Sequence, residues 1–295
     1  MAATRLTGCI PILCTPLDDE GQLDLASFDR QIEWVIAEGA SGVATLALAS
    51  EGYKLPDQWK WQLAQHTAET VNGRVPVVAS VSASGVAPAV DDALRMEAIG
   101  VDALMVLPPS FVKPDQAALF DYYARIGRAV SIPVIIQDAP QLTGVAMSPA
   151  LWARLAADTL TIQYVKAEGM PQGATISETI RQSGGKLAVF CGWGGLGMLD
   201  AMERAPNFTR LFAEVQRLWE AGDEAAAAAI FQAELPFVVW AMQSLDFSVT
   251  TAKEELRRRG VFSTAKLLAP HAELDEIARG QLARFIDARL AQKAR

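Results

Sequence analysis

The chain has 295 residues, of which 51% are hydrophobic and 20% are charged, and its formal net charge is −8. This composition is typical of a globular protein with one large core or two modest ones, and it argues against a disordered chain. The few basic clusters, such as 257–259, lie in a predicted helix among acidic residues, so the sequence predicts no nucleic-acid partner.

The N-terminus, the apolar runs and the cysteines also indicate which class of protein this is. The N-terminus lacks the apolar core of a signal peptide, and no apolar run reaches the roughly 18 residues of a membrane span. We therefore predict a cytoplasmic protein with no membrane partner. The cysteines lack metal-ligand spacing and the chain has only 2 histidines, so we expect no metal and no cofactor.

Short apolar runs alternate with amphipathic stretches through much of the chain. Apolar runs flanked by helices are typical of parallel strands with helices on their outer face. Because no glycine-rich phosphate fingerprint follows the first run, the pattern favours a (β/α)8 TIM barrel over a doubly wound open sheet. The predicted strands are 9–15, 42–50, 75–83, 103–109, 133–140, 161–169 and 187–193, and helices are predicted at 24–38, 55–71, 86–99, 114–130 and 149–157.

From residue 208 onward the pattern is almost wholly helical. We expect a barrel over residues 1–206 and closing and C-terminal helices over 207–295, packed on the barrel as part of one catalytic unit. An eighth strand is not evident, because the chain runs through 205–208 directly into a helix. An open barrel of seven strands would leave two unpaired edges. Either an unusual segment forms the eighth strand, or residues are absent from the chain as given. We favour the second interpretation.

Lys166 and Glu168 stand near the end of the sixth predicted strand. Side chains two residues apart point to the same face of a strand, about 6.5–7 Å apart along it, so an amine and a proton-transfer group could act together. The alternative is a lysine that caps the strand at a solvated rim and pairs with Glu168. The predicted barrel favours the first interpretation, because it directs Lys166 inward among apolar residues.

Other candidate site residues lie at predicted strand ends. Backbone N–H groups at Ala49 and Ser50, after the second strand, could bind a substrate carboxylate, and an ordinary turn residue is the alternative for Ser50. Gly192 and Trp193 follow the seventh strand, where glycine lets a ligand approach the backbone, or they simply form a tight turn. The adjacent Cys191 is a candidate lining residue, and its residue type favours a buried core thiol over a nucleophile.

Several of these features, in this order, resemble the dihydrodipicolinate synthase/N-acetylneuraminate lyase family over about residues 6–290. The resemblance implies a class I aldolase-like barrel, typically a homotetramer, in which the sixth-strand lysine forms a Schiff base with a 2-keto acid. It rests on 8–17, Glu51 and Leu55, 107–109, 133–136 with Pro140, 143–144, and Lys166.

The departures from that family's pattern point to the reaction. Segment 47–51 lacks the two threonines of the usual proton relay, and the usual strand-five tyrosine falls on Gln137, which cannot transfer a proton but could bind substrate. The resemblance is then closest to the branch that dehydrates 2-keto-3-deoxy sugar acids, such as 2-keto-3-deoxy-L-arabonate, with Lys166 as the imine residue and Glu168 as the general acid/base. A retro-aldol lyase that releases pyruvate and a non-catalytic barrel that binds keto acids remain as alternatives.

Overall fold

The computed structural model describes residues 6–202, 207–208 and 213–293. These residues include eight strands, and each of the seven predicted strands contains or overlaps one of them. The strands are β1 Gly8–Cys9, β2 Val43–Thr45, β3 Val77–Val81, β4 Ala103–Val106, β5 Val134–Asp138, β6 Ile162–Ala167, β7 Ala188–Cys191 and β8 Asn207–Phe208.

The strands form a parallel ring. Strands β2 to β7 pair in sequence order, and the segment after β1 joins β2 through a parallel bridge between Ile12 and Ala44. Strand β1 is shorter than predicted because Pro11, inside the predicted run, lacks the backbone N–H that a ladder requires. The prediction of a TIM barrel is confirmed.

The expectation that the eighth strand is missing is wrong. Asn207 and Phe208 form a strand of 2 residues that pairs in parallel with Gly8 and Cys9, and β8 also lies beside β7. A strand this short is below the 4–8 residues that a hydrophobic pattern needs for recognition. The barrel ring therefore extends past residue 206, and the division of the chain into a barrel and a helical part stays a prediction.

Helices follow the strands and cover the outside of the ring. Their bounds agree with the predicted periodic segments to within a few residues over most of the chain. The helices are α1 Leu25–Ala37, α2 Asp57–Val71, α3 Val86–Ile99, α4 Gln116–Ala129, α5 Pro140–Thr143, α6 Pro149–Asp158, α7 Gln172–Ser183, α8 Met198–Met202, α9 Ala213–Glu220, α10 Glu224–Ala241, α11 Leu245–Arg258 and α12 Glu276–Lys293.

Two apolar cores follow from the alternation of the strands. The larger core packs between the strands and the outer helices, whereas a smaller one fills the barrel interior below Lys166, with Val78, Met105, Ile135 and Phe190 among its members. These side chains give the lysine an apolar floor.

Among the described residues, helix α10 is the one that is long and apolar enough to be compared with a membrane span. It has 18 residues with a mean hydropathy of 1.2, so by length and composition alone it could cross a bilayer, and 28% of it is buried. The helix contains Glu224, Glu234 and Pro236, so it is not an uninterrupted apolar run, and the expectation of no membrane partner stays a prediction. Helix α10 packs against α9 and α11 in the C-terminal extension.

Candidate active site

A cavity of about 450 Å³ opens at the C-terminal ends of the strands. This is the end of a TIM barrel where the βα loops supply functional groups. The cavity extends beneath the C-terminal helices and reaches Met242 of the α10–α11 connection. Of the residues predicted for the site, six line this cavity: Ala49, Gln137, Lys166, Glu168, Gly192 and Trp193.

Strand β6 directs Lys166 into the cavity and delivers Glu168 just past its end. The Lys166 Nζ atom lies 3.0 Å from Glu168 Oε1, and both residues are buried, at 8% and 6% exposure. A solvated rim lysine would be far more exposed, so the interpretation of Lys166 as a strand cap does not fit. The amine and the carboxylate are close enough for direct proton transfer.

The Glu168 carboxylate receives hydrogen bonds on both oxygens. Besides the Lys166 contact, Oε1 accepts from the Trp193 backbone N–H at 3.1 Å, and Oε2 accepts from Gln137 Nε2 at 2.9 Å. Three donors therefore converge on one buried carboxylate and fix its position beside the lysine amine.

Gly192 gives the Glu168 side chain the space it occupies. A Cβ atom on residue 192 would lie 2.3 Å from Glu168 Cγ, far inside contact distance. Trp193 has a left-handed φ of 53°, and this backbone turn aims its N–H at the carboxylate. The glycine after β7 is thus required by the neighbouring side chain, beyond the tight turn considered from the sequence.

Gln137 stands beside Lys166, because β5 and β6 pair these two residues in register. Its side chain is buried, and its Oε1 has no protein partner among the described residues. Gln137 donates to Glu168 and orients it. An amide at this place holds the carboxylate without exchanging protons with it.

Asp138 follows on β5 and lies outside the cavity lining. It is 3% exposed, and burial together with the nearby charge of Glu168 raises its pKa to about 7, against backbone hydrogen bonds from Met147 and Gly169. A second carboxyl group thus shares the electrostatic environment of Glu168. Asp138 also links the loop after β5 to residue 169 after β6.

The turn after β2 brings only part of the predicted carboxylate site to the cavity. Leu48 and Ala49 line it, whereas Ser50 is buried behind them. The Ser50 hydroxyl donates to the Leu13 carbonyl at 2.6 Å, and its N–H donates to the Ala47 carbonyl at 3.0 Å. Ser50 therefore fixes the turn, and both of its donors are occupied.

Cys191 also lies outside the cavity lining. Its thiol points to Gln172 Oε1 at 3.2 Å, and burial raises its pKa to about 12. Gln172 in turn donates to the Ala167 carbonyl between the two candidate catalytic residues, at 2.7 Å. Sequence reasoning missed Gln172, because a glutamine at the start of a helix carries no distinctive pattern.

A buried ion pair next to the site was also missed. Lys253 of α11 and Glu51 are both 0% exposed, and Lys253 Nζ lies 2.5 Å from Glu51 Oε2. The available signal was the place of Lys253 on the buried face of α11, four residues after Val249 and three before Leu256. A lysine on such a face needs a partner, but the sequence does not identify it. Among the described residues, no group of three or more His, Cys, Asp or Glu side chains could hold a metal ion.

Known proteins resemble this chain along almost its whole length. The sequence profile of the Dihydrodipicolinate synthetase family matches residues 5–289. An L-2-keto-3-deoxyarabonate dehydratase from Azospirillum brasilense is 30% identical over 292 residues, which are 94% of this chain and 93% of that protein. A 4-hydroxy-tetrahydrodipicolinate synthase from Chelativorans sp. is 33% identical over 228 residues, covering 75% of this chain and 78% of the relative.

Solved structures give the same result. The dihydrodipicolinate synthase from Rhodopseudomonas palustris superposes with a TM-score of 0.88 at 25% identity, covering 96% of this chain and 97% of that one. The 4-hydroxy-tetrahydrodipicolinate synthase from Methylacidiphilum fumariolicum has a TM-score of 0.90 and covers 98% and 97%, and its 21% identity supports the fold alone. With the family profile matched from residue 5 to residue 289, this chain belongs to the dihydrodipicolinate synthetase family.

Proposed function

We propose that the protein is a Schiff-base-forming hydro-lyase that removes water from a 2-keto-3-deoxy sugar acid. The observation that carries this proposal is the Lys166–Glu168 pair, 3.0 Å apart in one cavity, with Gln137 on the other carboxylate oxygen. Our best candidate for the substrate is 2-keto-3-deoxy-L-arabonate, which would give 2-oxoglutarate semialdehyde. The dehydratase relative, aligned over 94% of this chain, supports that choice.

The first step is imine formation. Only a neutral amine attacks a keto carbon, and Glu168 Oε1 is close enough to take the proton from Lys166 Nζ. Attack at C2 and loss of water then give a protonated imine. The substrate carboxylate is expected at the Leu48–Ala49 turn, which lines the same cavity.

Lys166 and Glu168 also carry out the elimination of water. The protonated imine withdraws electrons, so Glu168 can remove a proton from C3 and leave an enamine. The enamine expels the C4 hydroxyl as water once that oxygen is protonated. A relay through the Ser50 hydroxyl is disfavoured, because this hydroxyl is bonded to the Leu13 carbonyl. We therefore assign both transfers to Glu168, which removes the proton from C3 and returns it to the leaving C4 oxygen. The unsaturated imine then loses a proton from C5 and gains one at C3, which gives the enol of the aldehyde. Tautomerisation of this enol and hydrolysis of the imine by water release 2-oxoglutarate semialdehyde and free Lys166.

The proposal includes a cytoplasmic homotetramer. Phe111, Val112 and Leu142 are apolar side chains near the barrel mouth with exposures of 91%, 75% and 39%. Exposed apolar groups of this kind are typical of surfaces that another chain covers. Light scattering coupled to gel filtration would test the assembly, and a monomeric mass would contradict this part of the proposal.

The deciding experiment combines trapping with product analysis. Borohydride reduction in the presence of pyruvate should add one reduced pyruvate to the wild-type chain and none to Lys166→Ala, which should also lack turnover because it has no imine-forming amine. With 2-keto-3-deoxy-L-arabonate, the semialdehyde should accumulate. Accumulation of pyruvate instead would establish the retro-aldol alternative, and no adduct on Lys166 would favour a barrel that only binds keto acids.

A further inference from the structure

Glu51 is a buried carboxylate at a strained position directly after the turn that lines the cavity. It is 0% exposed, and its backbone has a left-handed φ of 57°. The preceding residues Leu48–Ser50 form one 3-10 turn. A non-glycine residue adopts this backbone conformation at a cost, so surrounding contacts must hold it.

Those contacts come from the C-terminal part of the chain and from Lys54. Lys253 Nζ of α11 lies 2.5 Å from Glu51 Oε2. Glu51 Oε1 accepts from Lys54 Nζ at 3.2 Å and from the Leu268 N–H at 2.9 Å. Lys253 also donates to the Lys266 carbonyl at 2.8 Å. Glu51 is thus the point where the turn, helix α11 and the segment after it are joined.

The opposite side of the turn is fixed to the barrel. Ser50 Oγ donates to the Leu13 carbonyl, and Thr15 Oγ1 donates to the Ser50 carbonyl, each at 2.6 Å. The turn is therefore held between the chain after β1 and α11. Its cavity-lining residue Ala49 takes its position from these two attachments, since a methyl side chain forms no hydrogen bond.

We propose that Glu51 and Lys253 are positioning residues that set the turn for the substrate carboxylate. Neither residue touches the substrate in this proposal. The Glu51–Lys253 pair holds the backbone at Leu48 and Ala49 where the carboxylate binds. Loss of the pair therefore weakens carboxylate binding more than it slows imine formation at Lys166. The proposal rests on the function proposed above, in which this turn receives the carboxylate.

The test uses the double variant Glu51→Gln/Lys253→Met. Single substitutions leave one buried charge without its partner and endanger folding, whereas the double variant removes both charges at similar volume. Lys54→Met is a second variant, which removes one donor to Glu51 together with the Lys54 contacts to Asp246 and the Leu268 carbonyl. Arg74→Met is the matched control, because it breaks the exposed Arg74–Glu33 pair just before β3.

The fraction of chain trapped by borohydride is measured in two separate titrations, one with pyruvate and one with methyl pyruvate, which lacks the carboxylate charge. For the double variant, we expect the half-saturating pyruvate concentration to rise about tenfold, the effect of a small misplacement of a binding group. The value for methyl pyruvate should stay within about twofold of wild type, because this ester makes no charged contact with the turn. Lys54→Met should also raise the half-saturating pyruvate concentration, by a smaller factor. Arg74→Met should leave the half-saturating concentrations of both compounds unchanged.

Unchanged pyruvate saturation in the double variant would overturn the positioning role. Equal weakening for both compounds would also overturn it, because a general structural defect acts on both. If the double variant does not fold, the Lys54→Met variant decides. A half-saturating pyruvate concentration equal to that of the wild type in this variant would contradict the positioning role. Failure of the wild-type chain to trap pyruvate would instead overturn the proposed function, and the positioning role with it.

Discussion

Gln137 donates a hydrogen bond from Nε2 to Glu168 Oε2 over 2.9 Å, while Lys166 approaches the other oxygen of the same carboxylate. The amide stands on the strand next to the lysine, so the three side chains form one layer at the barrel mouth. Each group in this layer has a separate role. The amine is placed to react, the carboxylate to move protons, and the amide to keep the carboxylate in place.

Replacing Gln137 with Met should therefore reduce kcat about tenfold, because Glu168 loses a charge-assisted hydrogen bond and part of its orientation. Steady-state kinetics on the 2-keto-3-deoxy acid would measure the loss. Gln141→Met is the matched control, since Gln141 donates only to the Glu168 backbone carbonyl from an exposed position. Equal losses in the two variants would contradict an orienting role for Gln137.

Replacing Glu168 with Gln should separate imine formation from elimination. The variant should still yield a borohydride-reduced adduct on Lys166, although more slowly, because the amine loses its nearest proton acceptor. Dehydration should fall by about 10²–10⁴-fold because the general acid/base is gone. Intact mass measurement gives the adduct, and semialdehyde formation gives the turnover. Undiminished turnover would show that another group removes the C3 proton.

Gly192→Ala should impair catalysis although it replaces no polar side chain. The added Cβ would lie 2.3 Å from Glu168 Cγ, so the carboxylate must move away from Lys166. A displacement of this kind should lower kcat about 10²-fold. Gly280→Ala is the control, because the nearest atom to its Cβ is Arg284 Nη1 at 3.7 Å. Wild-type kcat in Gly192→Ala would mean that Glu168 acts from another position.

Asp138→Asn should change how stability depends on pH. The folded-state pKa of Asp138 is raised by burial to about 7, whereas an unfolded aspartate has a pKa of about 3.9. Between these values the folded chain keeps a proton that the unfolded chain releases. The free energy of unfolding of the wild type therefore falls as the pH rises through this window, and it levels off above about pH 7.

The asparagine variant lacks this titration. Its stability relative to wild type should increase by about 3 kcal/mol between pH 5 and pH 8, which urea unfolding at the two values would measure. Asp158→Asn is the control, because the hydrogen bond from Thr159 and the charge of Arg128 lower the Asp158 pKa and leave it ionised at both pH values. A difference that is independent of pH in Asp138→Asn would contradict the assignment.

The sequence predicts well what depends on local periodicity. The alternation along β6 put Lys166 and Glu168 on one side, and the repeated strand and helix patterns gave the barrel. It does not identify the partner of a single side chain. Ser50 and Cys191 stand at strand ends as predicted, and the structure shows that they bond to Leu13 and Gln172. The sequence failed for β8, where two residues carry no period, and for Lys253, whose partner is remote in sequence.

The link between Glu51 and Lys253 spans 202 positions of the chain. During synthesis, the turn after β2 therefore leaves the ribosome long before the helix that anchors it. Contacts of such wide sequence separation form late in folding, because the loop between them must first be closed. We therefore expect the turn beside Lys166 to reach its final shape only when α11 docks.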